Sequence, residues 1–397
     1  MASISPFSMT IFFFFLCITN AYSQPGVVDV TKLGAVADGK TDNAKAFTSA
    51  WTQACGATQK TKMLIPPGNY LTGPVNFQGQ CKNPVEVQLD GTILAPPDLY
   101  GVQDWVVFKY ITGFTLSGKG GFDGQGKLTW SQNNCKNKES GGKCIFPISV
   151  RFNFVNDAVI SGITSKDSKL AHINVFGCKN IKLQRVTVSA PGDSLNTDGI
   201  HIGSSQGVEI SGSTIGTGDD CISMVSGTSN VNIFDVRCGP GHGIAIGSMG
   251  GPGGKEETIT SVSVKNCTIT GTDNGVRIKT WPAGVAGVAS NLTFEDIVMD
   301  NVQNPVVIDQ EYCPYNKCNK AIPSKIKISD VRFRNIRGTS ATKEAVFLSC
   351  SKGVPCAGVE ISDINLKYTG ADGPATSVCA NLKPTIAKNV IPPTCVV

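Results

Sequence analysis

The strongest constraint on this chain is a ragged repeat of short β-type phrases through its second half. Ala158-Val159-Ile160-Ser161-Gly162-Ile163 is followed by Asn180-Ile181-Lys182-Leu183, Gly207-Val208-Glu209-Ile210, Asn230-Val231-Asn232-Ile233, Ser261-Val262-Ser263-Val264, Asn291-Leu292-Thr293-Phe294, Lys325-Ile326-Lys327-Ile328 and Gly358-Val359-Glu360-Ile361. Counted from Val159 along the first apolar residues, the steps are 22, 27, 23, 31, 30, 34 and 33 residues. Within each phrase apolar and polar residues alternate, so one row of side chains faces a core and the other faces water. A second short strand follows most phrases: Ile200-His201-Ile202, Ile222-Ser223-Met224, Ile244-Ala245-Ile246, Val276-Arg277-Ile278 and Val306-Val307-Ile308. Two or three strands per irregular step describe the stacked turns of a parallel β-helix, in which each strand pairs with its equivalent one coil away. A β-sandwich would need hairpin turns that the sequence seldom offers, and the leucine period of a leucine-rich repeat is missing.

Composition agrees. With 16% charged residues, 44 glycines and a hydrophobic share of 41%, the chain is neither disordered, nor a coiled coil, nor a many-span membrane protein. Asp42 to Cys55 carries Ala46, Phe47, Ala50, Trp51 and Ala54 at helical spacing, with Thr41 or Asp42 as candidate N-cap, and is expected to cap the first coil. The tail after Gly370 reads as loop. No flexible linker divides the chain, so one all-β domain is expected from Gln24 to Val397.

The N-terminus reads as an export signal. The apolar run Ile11 to Ile18 is too short to cross a bilayer, and Thr19-Asn20-Ala21-Tyr22-Ser23 follows it, giving a signal peptide over 1–23 with cleavage near Ser23. Of 15 cysteines, Cys17 leaves with the signal and an even number remains. Close pairs (Cys135/Cys144, Cys221/Cys238, Cys313/Cys318, Cys350/Cys356 and Cys379/Cys395) suggest short-loop disulfides, whereas Cys55, Cys81, Cys178 and Cys267 lack an obvious local partner. Zinc is disfavoured, because no CxxC occurs and the three histidines do not fall at ligand spacing. Sequons at Asn266 and Asn291 fit the same compartment.

The chemistry appears when the second strands are stacked. With Ile200, Ile222, Ile244 and Val276 as equivalent inward positions, the residues two places before them are Asp198, Asp220, His242 and Asn274. Those one place after are His201, Ser223, Ala245 and Arg277, and Lys279 lies three places after Val276. Neighbouring coils stand about 4.8 Å apart. Two carboxylates and an imidazole therefore share one edge, with Asp219 beside Asp220 and a cation pair, Arg277 and Lys279, two coils on. Carboxylates so crowded cannot all ionise without cost, so at least one pKa should rise, the condition for a general acid working beside a general base. Such a pair is what glycosidic bond hydrolysis uses, and the two cations are natural partners for a carboxylate on the sugar. The formal charge of +5 suits an acidic substrate, and no arginine-rich or aromatic-interleaved stretch points to nucleic acid. Lys325, Lys327, Arg332, Arg334 and Arg337 read as a solvated strand face, and Asn274 as a structural rung.

Asn196-Thr197-Asp198-Gly199, Gly218-Asp219-Asp220-Cys221, Gly241-His242-Gly243 and Arg277-Ile278-Lys279 resemble, in order, the four motifs of the polygalacturonases, the family 28 glycoside hydrolases. The likeness runs over nearly the whole mature chain, including Gly34-Ala35-Val36-Ala37-Asp38-Gly39, and is strongest to plant, pollen-type exopolygalacturonases. It implies a right-handed parallel β-helix and inverting hydrolysis of α-1,4-linked galacturonan, with no metal or organic cofactor. In the family pattern Asp219 is the general acid and Asp198 with Asp220 hold and activate the water. His242 supports the acid's protonation, Arg277 and Lys279 bind the galacturonate carboxylate, and Asn196 and Tyr312 belong to the substrate-binding set. The expected partner is a polyanionic pectic polysaccharide, met by a secreted monomer in the cell wall, with neither nucleic acid nor membrane involved after signal cleavage. Exo action rests on the resemblance alone. An endo-polygalacturonase, a calcium-dependent pectate lyase and a non-catalytic wall-binding solenoid remain as alternatives. Closure of the groove would depend on loops such as Asn133 to Lys143.

Overall fold

In the computed structural model, residues 26–132, 145–251, 253–316, 318–382 and 386–393 are described. The signal peptide, the Cys135/Cys144 pair, the loop Asn133 to Lys143 and Cys395 lie outside them. The chain winds into a parallel β-helix in which every strand pairing within the two sheets is parallel and joins equivalent strands of neighbouring coils. Among the described residues, the site is built on an 11-stranded sheet. Its strands are β1 (Val75–Gln78), β2 (Asp104–Lys109), β3 (Ile148–Asn153), β4 (Ile173–Phe176), β5 (Ile200–Gly203), β6 (Ile222–Met224), β7 (Ile244–Met249), β8 (Asn274–Thr280), β9 (Asn304–Asp309), β10 (Glu344–Ser349) and β11 (Thr376–Ala380).

The repeated phrases form the opposite wall, and their geometry explains their wording. In each, the residue before the first inward apolar side chain is left-handed: Asp157, Asn180, Gly207, Asn230, Ser261, Asn291, Asp330 and Gly358 all have φ between 51° and 71°. Asn, Asp and Gly tolerate that region best, so the recurrent Asn or Gly ahead of a valine or isoleucine is the corner of a coil. Stacked corners hydrogen-bond to one another, as Asn180 Nδ2 donates to Asp157 Oδ1 at 3.0 Å. A second ladder of corners joins Asn266 to Asp235 and Asn389 to Asp363. The sequon asparagines, Asn266 and Asn291, are therefore exposed corner residues.

The register corrects two positions of the repeat. Ala158, not Val159, stacks on Ile181, because the smaller residue turns inward and the valine is half-exposed. Leu292 stacks on Val331, while Ile326 pairs with Gly287 on an earlier part of the coil. The inward rows make one continuous core that includes the stacked rings of Phe294 and Phe333, 5.2 Å between centroids.

Helix α1 (Ala44–Gly56) covers the first coil with Phe47, Ala50 and Trp51 buried. Asn43, rather than Thr41 or Asp42, holds the N-cap position, although the Asp42 carboxylate does accept from the Ala44 N–H at 3.0 Å. Asn43 turns away because its side chain stitches Val36, Thr41 and Leu71 together. The tail is not a loop: β11 and the strand Ile386–Ile391 extend both sheets by one further coil, pairing the backbone edges left open by the last full turn.

Disulfides Cys221–Cys238, Cys313–Cys318 and Cys350–Cys356 are present as expected, and Cys379 is also bridged. Cys55 bonds Cys81, tying the end of α1 to the coil beneath it, and Cys178 and Cys267 are buried free thiols. No helix among the described residues is long and apolar enough to cross a membrane.

Candidate active site

Parallel stacking puts the alignment of Ile200, Ile222, Ile244 and Val276 into direct register. Their side chains point into the core. The turns before them and the outward residues between them therefore line one face of the site sheet. Asp198 precedes β5, Asp219 and Asp220 precede β6, His242 precedes β7, and Arg277 and Lys279 project outward from β8.

Asp220 is the buried centre, with 2% of its surface exposed. Lys279 Nζ donates to its Oδ2 at 2.7 Å, and Arg277 Nη2 stands 3.5 Å from Oδ1, which makes no hydrogen bond among the described residues. Burial pushes the Asp220 carboxyl above its usual range, and the charges of Asp198 and Asp219 add to that push. Lys279 and Arg277 oppose it. Lys279 is itself 7% exposed, so it is no solvated surface lysine.

Asp219 behaves differently although it is the next residue. It accepts from the backbone N–H of Asp220 at 2.8 Å, lies 3.1 Å from His242 Nδ1 and receives a long contact, 3.4 Å, from Asn196 Nδ2. Burial raises its pKa, but the hydrogen bond and charge of His242, with the Asp220 N–H and Lys279, outweigh that and leave it below the ordinary value. His242 is raised in turn, chiefly by that hydrogen bond and against burial, and its Nε2 lies 3.4 Å from Asp273. The carboxyl that rises, chiefly through burial and further through its acidic neighbours, is therefore Asp220, while Asp219 is held low and His242 high by their mutual hydrogen bond.

Asp198 accepts from Ser223 Oγ at 2.8 Å. His201 Nδ1 lies 3.8 Å from the same carboxylate oxygen. Asn196 sits left-handed, at φ 58°, in the turn that carries Asp198. Beyond the cations, the Tyr312 ring lies 5.6 Å from the Arg277 guanidinium and 5.5 Å from Lys279 Nζ, and Trp281 packs edge-on against it. All eight residues singled out in the sequence thus belong to one connected site. His172 does not: it is buried with Nδ1 on Ser165, and burial takes its pKa down to about 3. Asp273 and Trp281 were not legible; they lie four residues before and two residues after the Arg277-Ile278-Lys279 motif, and nothing in their local pattern sets them apart. Of the basic cluster, Arg334 and Arg332 are engaged by Glu360, Arg334 at 2.7 Å, which fits an ordinary strand face.

Carboxylate and imidazole donors of Asp219, Asp220 and His242 lie within 4.8 Å of one another, close enough to surround a cation. Their negative charge is already met by the Lys279 ammonium and the His242 ring. The arrangement offers instead a carboxylate hydrogen-bonded to an imidazole that can supply it with a proton, and two further carboxyl groups beside it. That is the equipment for acid–base cleavage with water.

Comparison with known proteins agrees. The profile of the glycosyl hydrolases family 28 matches residues 55–390. A polygalacturonase of Gossypium barbadense is 51% identical over 382 residues, covering 95% of this chain and 93% of its own. An exopolygalacturonase of Platanus acerifolia is 48% identical, covering 93% of this chain and 98% of its own. In fold, the chain is similar to the endo-xylogalacturonan hydrolase of Aspergillus tubingensis, with a TM-score of 0.79 at 23% identity, over 92% of this chain and 100% of that one.

Proposed function

This chain belongs to family 28 of the glycosyl hydrolases, and we propose that it is a secreted, exo-acting polygalacturonase that hydrolyses α-1,4-galacturonosyl linkages with inversion. The observation that carries the reading is the division of labour among three carboxylates on one sheet face: one shares a proton with an imidazole, one is fixed by two cations and one is held by a hydroxyl.

Asp219 is the general acid. In the free enzyme the proton it shares sits towards His242, because the carboxyl is held low and the imidazole high. An entering polyuronate displaces water and brings negative charge, and both effects raise a carboxyl pKa. The shared proton then moves to Asp219 and from there to the glycosidic oxygen as the C1–O bond breaks. Water held against Asp198, beside the Asp220 carboxyl, attacks C1 from the opposite face, giving its proton to Asp198. Asp220, pinned by Lys279, fixes the direction of attack. Arg277 and Lys279, with Tyr312 against both, receive the sugar carboxylate, and Asn196 orients the turn and its acid. No step calls for a metal or organic cofactor. Exo action is supported by relatives that carry that name.

A product time course on de-esterified polygalacturonate, with chelator present, tests the reading. Free galacturonic acid as the sole early product is expected. A ladder of oligomers would overturn exo action and leave the hydrolase. An unsaturated product that needs calcium would overturn the hydrolase itself.

A further inference from the structure

His201 and Ser223 stand directly opposite one another on β5 and β6, so both side chains project to the groove face one strand spacing apart. Ser223 Oγ lies 2.7 Å from His201 Nδ1 and 2.8 Å from Asp198 Oδ2. The imidazole itself is 3.8 Å from that oxygen, too far for a direct hydrogen bond. We propose that His201 acts through Ser223 to hold the Asp198 carboxylate aimed at the water, as a positioning pair; this rests on the role given to Asp198 above.

The hydroxyl decides the direction of the chain. Ser223 is 2% exposed and has one hydrogen to give. An ionised carboxylate can only accept, and a bond to it is about twice as strong as one between neutral groups. Ser223 therefore donates to Asp198 and must accept from His201, which places the imidazole proton on Nδ1. Successive bonds polarise one another, so the serine hydroxyl becomes a better donor to the carboxylate than it would be alone. Oδ2 of Asp198 is occupied by this bond, and Oδ1 is left for the water. His201 keeps its ring partly exposed.

Position 223 can lose its hydroxyl without losing its place in the sheet, because Ala245 stands in the equivalent position one coil on. Ser223→Ala should lower kcat on oligogalacturonate about ten-fold and leave KM within about two-fold, since the pair touches the carboxylate rather than the sugar. Ser223→Thr, which keeps the hydroxyl, should restore most of the rate. His201→Phe should cost a similar factor in the native chain and nothing further in the Ser223→Ala chain. Nitrogen NMR of labelled histidine, tractable with three histidines in the chain, should find the His201 proton on Nδ1 in the native protein and on Nε2 in Ser223→Ala. An unchanged kcat in Ser223→Ala, additive losses with a raised KM on changing His201, or an unchanged tautomer would each overturn the pair. Asp198→Asn separates the two readings: a variant that keeps its rate removes Asp198 from catalysis, whereas a dead Asp198→Asn beside an active Ser223→Ala removes only the pair.

Discussion

Lys279→Met tests the electrostatic centre of the site. Asp220 is almost wholly buried, and the Lys279 ammonium at 2.7 Å is its tightest contact, while Arg277 at 3.5 Å makes no hydrogen bond to it. Methionine keeps most of the chain volume and removes the charge. Removing one partner of a buried pair costs about 3–5 kcal/mol, and because Arg277 stays, the lower end, about 3 kcal/mol, applies here. A chain of 397 residues melts with an entropy of roughly 0.8 kcal/mol/K, so Tm should fall by about 4 °C at neutral pH. The sign of the pH dependence follows from the direction of the shift. Asp220 already sits above the ordinary carboxylate value through burial, and losing Lys279 pushes it further. A carboxyl raised in the folded state carries no penalty below its unfolded value, about 3.9, and a growing one as pH climbs towards the folded value. The deficit of Lys279→Met should therefore be small near pH ~4 and grow as pH rises through the raised folded value of Asp220. Circular dichroism melts of both proteins across that range measure it. A deficit that is independent of pH, or that grows in acid, would refute the reasoning.

Asp219→Asn should reduce kcat by about 10³-fold, a typical general-acid contribution, with an unaltered circular dichroism spectrum. His242→Gln should abolish a stabilising term that is complete below about pH 6.5 and lost as pH rises through the raised folded value of His242. The Tm gap between His242→Gln and the native protein should therefore be wide in acid and close on the alkaline side. Replacing Cys55 and Cys81 by alanine opens a loop of 26 residues, which the chain-entropy estimate values at about 3.5 kcal/mol. Thermal melts of that variant should shift down by roughly 4 °C, and kcat at a permissive temperature should stay unchanged.

The site was legible because parallel stacking turns a sequence pattern into a spatial one. Once Ile200, Ile222, Ile244 and Val276 are set in register, Asp198, Asp220, His242 and Arg277 must share a face, and no long-range contact has to be guessed. The repeat was harder to phase where both alternating rows are apolar. Val159 is the bulkier residue beside Ala158, yet the corner at Asp157 sets which of them turns inward. Cys55 and Cys81 escaped a reading based on local spacing because the helix end and the next coil meet only after folding. The tail strands were hidden because their stability comes from sheet edges supplied by earlier coils. The burial of Lys279 was likewise invisible, since a lysine at an alternating position looks the same whether it meets water or an aspartate from two coils away.

The central claim is that one carboxyl protonates the leaving oxygen while water, held by two others, attacks the opposite face. Proton NMR of the first turnovers on an α-1,4-linked galacturonate oligomer reads that geometry directly from the anomer released. The β-anomer appearing first and then equilibrating is expected. First release of the α-anomer, or of an unsaturated uronate, would contradict the account.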